Sequence, residues 1–220
     1  MVTAPEALQR LKEGNRRFAA GVRSIETLTS QARRGDLVEG QQPFAAILAC
    51  SDSRVPVEIV FDQGVGDLFV IRVIGNIVAP SQIGSIEFAA AQLGTRLVVV
   101  LGHTRCGAVQ ATLDELQRPI ESRSRNIRSI VDRIRPSVEA LLETELKRDR
   151  GSLARHAVRA NVRVSANQLR HGSDVLEQLI QNEELLVVGA EYSLETGIVD
   201  FFDGVPELHP VSAKEGASEG

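Results

Sequence analysis

The sequence predicts a single α/β domain with a mostly parallel central sheet of four to five strands, the last antiparallel, flanked by helices. The chain of 220 residues is 43% apolar, which suits one domain with a sizeable core. Its apolar runs are short and show little alternation, as expected for strands that are covered on both faces. Helical patterns separate these runs, and strands that alternate with helices form parallel sheets through right-handed crossovers.

Residues 1–40 are predicted to form an N-terminal helical arm and a loop. Apolar residues recur near helical spacing over residues 4–20, and Pro5 fits the first turn of such a helix. Residues 21–42 are polar and interrupted by glycine, which favours a loop. An amphipathic helix of this kind needs an apolar surface to lie on.

The main domain is predicted to span residues 41–204, followed by a flexible polar tail over residues 205–220. Strands are expected at the apolar runs 44–49, 68–74, 96–102, 184–192 and 197–202. The fifth run follows the fourth through the short link SLET, so we expect the last two strands to be antiparallel. Helices are expected over 55–64, 81–94, 106–117 and, with a break near 149–152, over about 126–182.

Charge and hydropathy argue against two classes of partner. The net charge of −4 argues against nucleic acid, because phosphate binding needs a basic face. Arginines gather within residues 123–135 among acidic neighbours, and we interpret them as a solvated helix face or a subunit contact. No apolar stretch approaches the roughly 20 residues that a membrane helix needs. The N-terminus lacks an apolar signal core, so a cytoplasmic location is expected unless an export signal has been removed.

Chemically distinctive residues follow two of the predicted strands. The run ILACSDSRVP ends its apolar part at Cys50, and Asp52 and Arg54 come two and four residues later. The run VVVLGHTRCGA ends its apolar part at His103, with Cys106 three residues further on. Ligands collect beyond the carboxyl ends of the strands in open parallel sheets. These side chains should therefore converge if the two strands are neighbours.

Two cysteines and a histidine form a borderline-soft ligand set that suits zinc. Catalytic zinc keeps three protein ligands and a water, so Asp52 either closes the shell as a fourth ligand or is held away from it. Arg54 favours the second state, because a guanidinium can hold a carboxylate with two parallel hydrogen bonds. Zinc would then lower the pKa of its water from about 15.7 toward roughly 7. A disulfide between Cys50 and Cys106 is the alternative, but it would not explain His103.

The segments ACSDSR, GDLFVIRVIGN, GSIEFA and GHTRCGA make the sequence resemble a β-class carbonic anhydrase over residues 4–204. The combination of C-x-D-x-R with a later H-x-x-C is highly specific. The resemblance implies a homodimer, with the N-terminal helix packing over the neighbour and the active-site cleft at the interface. It leaves open whether dimers pair into tetramers.

The resemblance also implies a reaction. Cys50, His103 and Cys106 would bind zinc, and zinc-bound hydroxide would attack carbon dioxide to give bicarbonate and a proton. Asp52 and Arg54 would form the dyad that gates the site.

The substrate pocket carries over with two departures. Gln41, nine residues before Cys50, corresponds to a donor of a hydrogen bond to bicarbonate. Phe69 corresponds to an apolar wall residue, and Gly107 is the glycine after the second zinc cysteine. Ile74 replaces a small residue and Phe88 replaces a tyrosine, so we expect a bulkier and drier pocket, which suits an apolar substrate.

Some members of the family close the site with the aspartate and hold regulatory bicarbonate near a tryptophan three residues before the first zinc cysteine. That position is Ile47 here, and the chain contains no tryptophan. The tryptophan-based pocket cannot form as such. We therefore expect a site that is open at neutral pH, with Asp52 paired to Arg54.

The sequence leaves two alternative functions. The same fold and zinc site could act on carbon disulfide or carbonyl sulfide, or the protein could be a non-catalytic zinc scaffold or redox sensor. The presence of both Asp52 and Arg54 speaks against a scaffold, because a structural site needs no arginine to draw its fourth ligand away. The remaining histidines are expected at the surface or an interface: His156, His171 and His209.

Overall fold

The computed structural model of the chain describes residues 2–22, 35, 37–117 and 124–206. The strands of these residues are β1 Ala45–Ala49, β2 Leu68–Arg72, β3 Leu97–His103, β4 Leu186–Tyr192 and β5 Val199–Asp203. The helices are α1 Ala4–Ala19, α2 Val57–Val60, α3 Pro80–Glu87, α4 Gly107–Gln117, α5 Arg125–Val138, α6 Arg150–His171 and α7 Asp174–Gln181.

The strands form one sheet in the order β2-β1-β3-β4-β5. All neighbouring pairs are parallel except β4 and β5, which are antiparallel. The predicted fold class is therefore confirmed. Every residue of β1 and β3 is buried, because helices cover both faces of the sheet. This double coverage explains why the apolar runs show little alternation.

Three of the predicted helices differ in length. The helix predicted over 55–64 is reduced to Val57–Val60, and Asp62 just beyond it has a left-handed φ of 48°. The helix predicted over 81–94 begins as α3 and continues as a π-helical turn, Phe88–Gln92. The long stretch is broken after Val138 by 3-10 turns, and Pro136 lies in the last turn of α5 before this break.

The N-terminal helix α1 packs its apolar face against the core of its own chain. Ala7, Leu8 and Leu11 are buried in the core on one face of the sheet. Asn15 donates from Nδ2 to the carbonyls of Val60 and Gly197, at 3.1 and 2.9 Å. The expectation that this helix finds its apolar surface on a partner is thus wrong for these residues. Additional packing of α1 on a second subunit stays a prediction.

The arginines of α5 and the histidines outside the site lie at the surface, as expected, where the structure describes them. Arg125, Arg128 and Arg133 are exposed on α5, as a solvated helix face requires, whereas Arg123 lies outside the described residues. His156 and His171 are exposed, and His209 lies outside the described residues, as does most of the predicted tail. No described helix combines the length and apolar character that crossing a membrane requires.

Candidate metal centre

The sheet brings the two distinctive segments together because β1 and β3 are neighbouring parallel strands. Cys50 follows the last residue of β1, and His103 is the last residue of β3. Cys106 immediately precedes α4, after a turn in which Arg105 has a φ of 55°. The ligand atoms of Cys50, His103 and Cys106 all lie within 4.8 Å of one another, and all three residues are buried. We call these three residues the donor set.

The His103 ring is oriented so that one nitrogen faces the two sulfurs. Its Nδ1 lies 2.9 Å from the carbonyl oxygen of Thr104. A carbonyl only accepts, so Nδ1 carries the proton and Nε2 presents its lone pair. Among the residues that the structure describes, Nε2 has no hydrogen-bond partner, although the side chain is fully buried. A buried acceptor without a donor, next to two thiols, fits a bound cation with a preference for nitrogen and sulfur.

The two thiols influence each other. A hydrogen bond from Cys106 lowers the pKa of Cys50, and the same bond together with burial raises the pKa of Cys106. The backbone N–H of Gly75 also donates to Cys50 Sγ, at 3.2 Å. The pair therefore favours one thiolate and one retained proton, and a cation would displace that proton. With this electron-rich pair and the free imidazole nitrogen, the donor set fits zinc.

Asp52 and Arg54 form a bidentate ion pair beside the donor set. Arg54 donates from Nε to Asp52 Oδ1 at 2.9 Å and from Nη2 to Oδ2 at 2.7 Å. The Arg54 backbone N–H adds a third bond, to Oδ1 at 3.0 Å. These hydrogen bonds hold the pKa of Asp52 well below its usual range. Asp52 Oδ2 nevertheless remains 3.8 Å from His103 Nε2, so the carboxylate lies next to the donor set while it is engaged by the guanidinium.

Arg72 supports the segment of the site that follows β1, and the sequence reasoning missed it. It is the last residue of β2 and is paired in register with Ala49 of β1. Its guanidinium donates from Nε to the carbonyl of Cys50 at 3.2 Å and from Nη2 to that of Asp52 at 2.6 Å. The only signal in the sequence is a charged residue inside the apolar run LFVIRVI. Its partners could not be inferred without the strand register.

Two further contacts support the turn between His103 and Cys106. Glu195, in the turn between β4 and β5, accepts from Thr104 Oγ1 and from Arg105 Nε, both at 2.7 Å. The two bonds tie the turn that follows His103 to the turn that follows β4. A cavity of about 550 Å³ opens there, and Cys106 and Gly107 lie in its wall.

The predicted substrate residues occupy different parts of the surface. Gly107 borders the cavity beside Cys106. Ile74 directly precedes Gly75 and is 45% exposed. The rings of Phe69 and Phe88 lie 6.3 Å apart, and Phe88 is 49% exposed. Gln41 is exposed in the segment before β1. The contact of these residues with substrate stays a prediction.

Comparison with known proteins agrees with the geometry. The family model described as carbonic anhydrase matches residues 45–199. The chain is 39% identical to a carbonic anhydrase of Mycolicibacterium smegmatis. This alignment of 194 residues covers 88% of this chain and 91% of the relative. It is also 39% identical to carbonic anhydrase 2 of Mycobacterium tuberculosis. That alignment of 191 residues covers 87% of this chain and 89% of the relative.

A solved structure shows the same fold. The crystal structure of a β-carbonic anhydrase from the fungal pathogen Aspergillus fumigatus aligns with a TM-score of 0.70 at 28% identity, covering 88% of this chain and 89% of that one. The range matched by the family model contains the whole donor set and the ion pair beside it.

Proposed function

The chain belongs to the β-class carbonic anhydrase family, and from this premise we propose that it hydrates carbon dioxide reversibly, with zinc held by Cys50, His103 and Cys106. The observation that carries the proposal is the buried Cys–His–Cys donor set, whose imidazole Nε2 has no hydrogen-bond partner among the described residues. The family membership supports the reaction, and the donor set supports the metal.

The chemistry that zinc supplies when bound is a nucleophile at neutral pH, since it lowers the pKa of a coordinated water from about 15.7 to about 7. The protein's residues do the rest. His103 keeps its lone pair toward the metal position because Thr104 holds its Nδ1 proton. Asp52 accepts a hydrogen bond from the nucleophile and so directs a lone pair at carbon dioxide. Arg54 keeps Asp52 ionised for this role.

We propose further that the Asp52–Arg54 pair gates the site. While both carboxylate oxygens are engaged by Arg54, neither is free to become a fourth ligand. The fourth position is then available to solvent and substrate at neutral pH. The two short, parallel hydrogen bonds between Arg54 and Asp52 support this open state.

The pocket and the assembly are proposed together. Gln41 is assigned as a hydrogen-bond donor to bicarbonate, and Phe69, Ile74, Phe88 and Gly107 as the wall around carbon dioxide. The exposed apolar side chains of Ile74 and Phe88 favour a homodimer that covers them. A cytoplasmic location is part of the same proposal.

Zinc content and hydration rate together test the proposed function. We expect about one zinc per chain, with a stopped-flow hydration rate that rises between pH 6.5 and 9 as the nucleophile forms. Zinc-loaded protein that is inactive toward carbon dioxide at pH 8.5 would contradict the proposal. Turnover of carbon disulfide or carbonyl sulfide in the same preparation would then identify the alternative substrate, and its absence would indicate a scaffold.

A further inference from the structure

A left-handed turn next to the donor set presents a backbone N–H to one of its sulfurs. The turn Ile74–Asn76 follows β2, and Gly75 and Asn76 have φ values of 69° and 43°. In this conformation the Gly75 N–H points at Cys50 Sγ, and the Gly75 nitrogen lies 3.2 Å from the sulfur. Glycine reaches many other conformations at similar cost, so the turn needs an external restraint to keep this direction.

Asn161, on helix α6, supplies that restraint from the interior. Its side chain is 2% exposed, and its Nδ2 donates to the carbonyl of Gly75 at 2.8 Å. Its Oδ1 lies 3.4 Å from the hydroxyl of Ser137 on α5. Because the Gly75 carbonyl can only accept, the orientation of the amide is determined. The Asn161 side chain thus fixes the peptide that follows Gly75.

Ser165 makes a parallel bond one helical turn further along α6. Its hydroxyl donates to the carbonyl of Asn76 at 3.0 Å, and the residue is 2% exposed. Asn161 and Ser165 therefore fasten the same turn to the same helix through consecutive carbonyls. Only Asn161 holds the residue whose N–H reaches the sulfur.

We propose that Asn161 is a positioning residue for the zinc site, acting through Gly75 on the sulfur of Cys50. This rests on the proposed function, since it takes Cys50 to be a zinc ligand. A hydrogen bond from the Gly75 N–H fixes the direction of the sulfur lone pairs and withdraws part of the thiolate charge. Groups that bond to metal ligands in this way are worth about 10- to 100-fold in metal affinity. Loss of Asn161 frees the turn and weakens that bond without touching a ligand.

The test is the zinc dissociation constant of Asn161→Ala, measured by competition with a chelator, against Ser165→Ala as the matched control. Both variants lose one buried bond between α6 and the turn. We expect about tenfold weaker zinc binding for Asn161→Ala and an unchanged affinity, within about twofold, for Ser165→Ala. In the cobalt-loaded proteins, the sulfur-to-cobalt charge-transfer band should shift only in Asn161→Ala.

Three outcomes overturn the inference. Equal affinities in the wild type and Asn161→Ala would remove Asn161 from the zinc site. Equal losses in the two variants would show that general loosening of the turn is responsible. A wild-type protein that binds no zinc at all would contradict the proposed function as well. Failure of the proposed function is thus distinguished from failure of the Asn161 inference alone, in which the wild type still binds zinc.

Folding of the variant is checked by circular dichroism. Should Asn161→Ala not fold, Asn161→Ser leaves a smaller cavity but is too short to reach the Gly75 carbonyl. The same tenfold loss is expected for it, and wild-type affinity would again overturn the inference.

Discussion

At the scale of single residues, the hydrogen bonds from Arg54 to Asp52 define the state of the carboxylate beside the donor set. Its two oxygens receive three hydrogen bonds from Arg54, and Oδ2 lies 3.8 Å from the imidazole nitrogen that faces the sulfurs. We propose that a carboxylate held in this way is not free to bind a metal, but that it can accept a hydrogen bond from a nucleophile next to it. Arginine suits this role because its planar fork matches both oxygens, which a lysine could not do.

Replacement of Asp52 by asparagine should separate metal binding from catalysis. Asp52→Asn keeps the shape of the side chain but removes the anionic acceptor, so we expect full zinc content and hydration slowed by about 100-fold or more. Stopped-flow rates and metal analysis on the same preparation provide the measurement. Asp132→Asn, the same change at an exposed position of α5, is the control and should leave both unchanged. An unaltered rate in Asp52→Asn would exclude this residue from the chemistry.

At the scale of secondary-structure elements, polar side chains hold helices and turns at fixed positions against the sheet. Asn15 is the clearest case, because its amide bonds three backbone groups in other segments. Besides the two carbonyls that it donates to, it accepts from the N–H of Val199 at 2.8 Å. Substitution leaves these buried groups without a partner, at about 1–3 kcal/mol each.

Asn15→Ala should therefore lower the free energy of unfolding by about 3 kcal/mol. Urea unfolding at one fixed protein concentration measures the change. Gln9→Ala, on the same helix but exposed and bonded to Glu13, should change it by less than about 0.5 kcal/mol. Similar losses in both variants would mean that α1 is stabilised by helix propensity rather than by the Asn15 contacts.

Glu195 makes stability depend on pH through the two turns that it joins. Hydrogen bonds from Thr104 and Arg105 lower its pKa from 4.5 to about 2. Because the folded-state pKa is the lower one, Glu195 stabilises the fold above pH 4.5, and this contribution is lost as the pH falls toward 2.

Thermal melts of zinc-free wild type and Glu195→Gln should therefore differ most at pH 5 to 6 and converge toward pH 3. The wild type is expected to have the higher melting temperature where the two differ. Asp200→Asn, at an exposed carboxylate elsewhere on the sheet edge, controls for the loss of one charge. A difference that grows as the pH falls would reverse the sign and contradict this role of Glu195.

The strands were predictable from the sequence because burial on both faces makes them uninterrupted apolar runs. The run 44–49 became Ala45–Ala49, and the other four also shifted by only one or two residues. The length of helix α2 was overestimated, since no sequence pattern indicates the left-handed conformation of Asp62, which follows the helix. Helix and strand ends depend on such local conformations, which apolar spacing does not encode.

The site was predictable in part, for a similar reason. Cys50, His103 and Cys106 were placed at one edge of the sheet because they follow parallel strands, whose carboxyl ends share an edge. That β1 and β3 are neighbours, which brings the three residues together, is a result of the strand order in the structure. Arg72 and Asn161 were not found, because their partners depend on the strand register and on how α6 packs. Neither the register nor the packing can be derived from residue spacing.

At the scale of the whole molecule, the exposed apolar side chains near the site call for a covering surface. Ile74 and Phe88 are 45% and 49% exposed in the single chain, and Phe88 packs on Phe69 of the edge strand β2. We propose that a second copy of the chain buries these residues and encloses the approach to the site.

We expect the protein to sediment as a dimer or a larger even assembly, and Phe88→Asp to shift it toward the monomer and reduce hydration. Analytical ultracentrifugation over a range of concentrations provides the measurement. Val175→Asp, at a comparably exposed residue on α7, is the matched control and should leave the assembly unchanged. A monomeric wild type, or Phe88→Asp that sediments as the wild type does, would contradict this interface.

The most direct test of the whole account is a crystal structure of the zinc-loaded protein grown near pH 7.5. We expect one anomalous zinc peak bonded to Cys50 Sγ, His103 Nε2 and Cys106 Sγ, with Asp52 still paired to Arg54 and a solvent molecule in the fourth position. A carboxylate oxygen of Asp52 at about 2.0–2.2 Å from zinc, or a metal bound away from the two sulfurs, would contradict it.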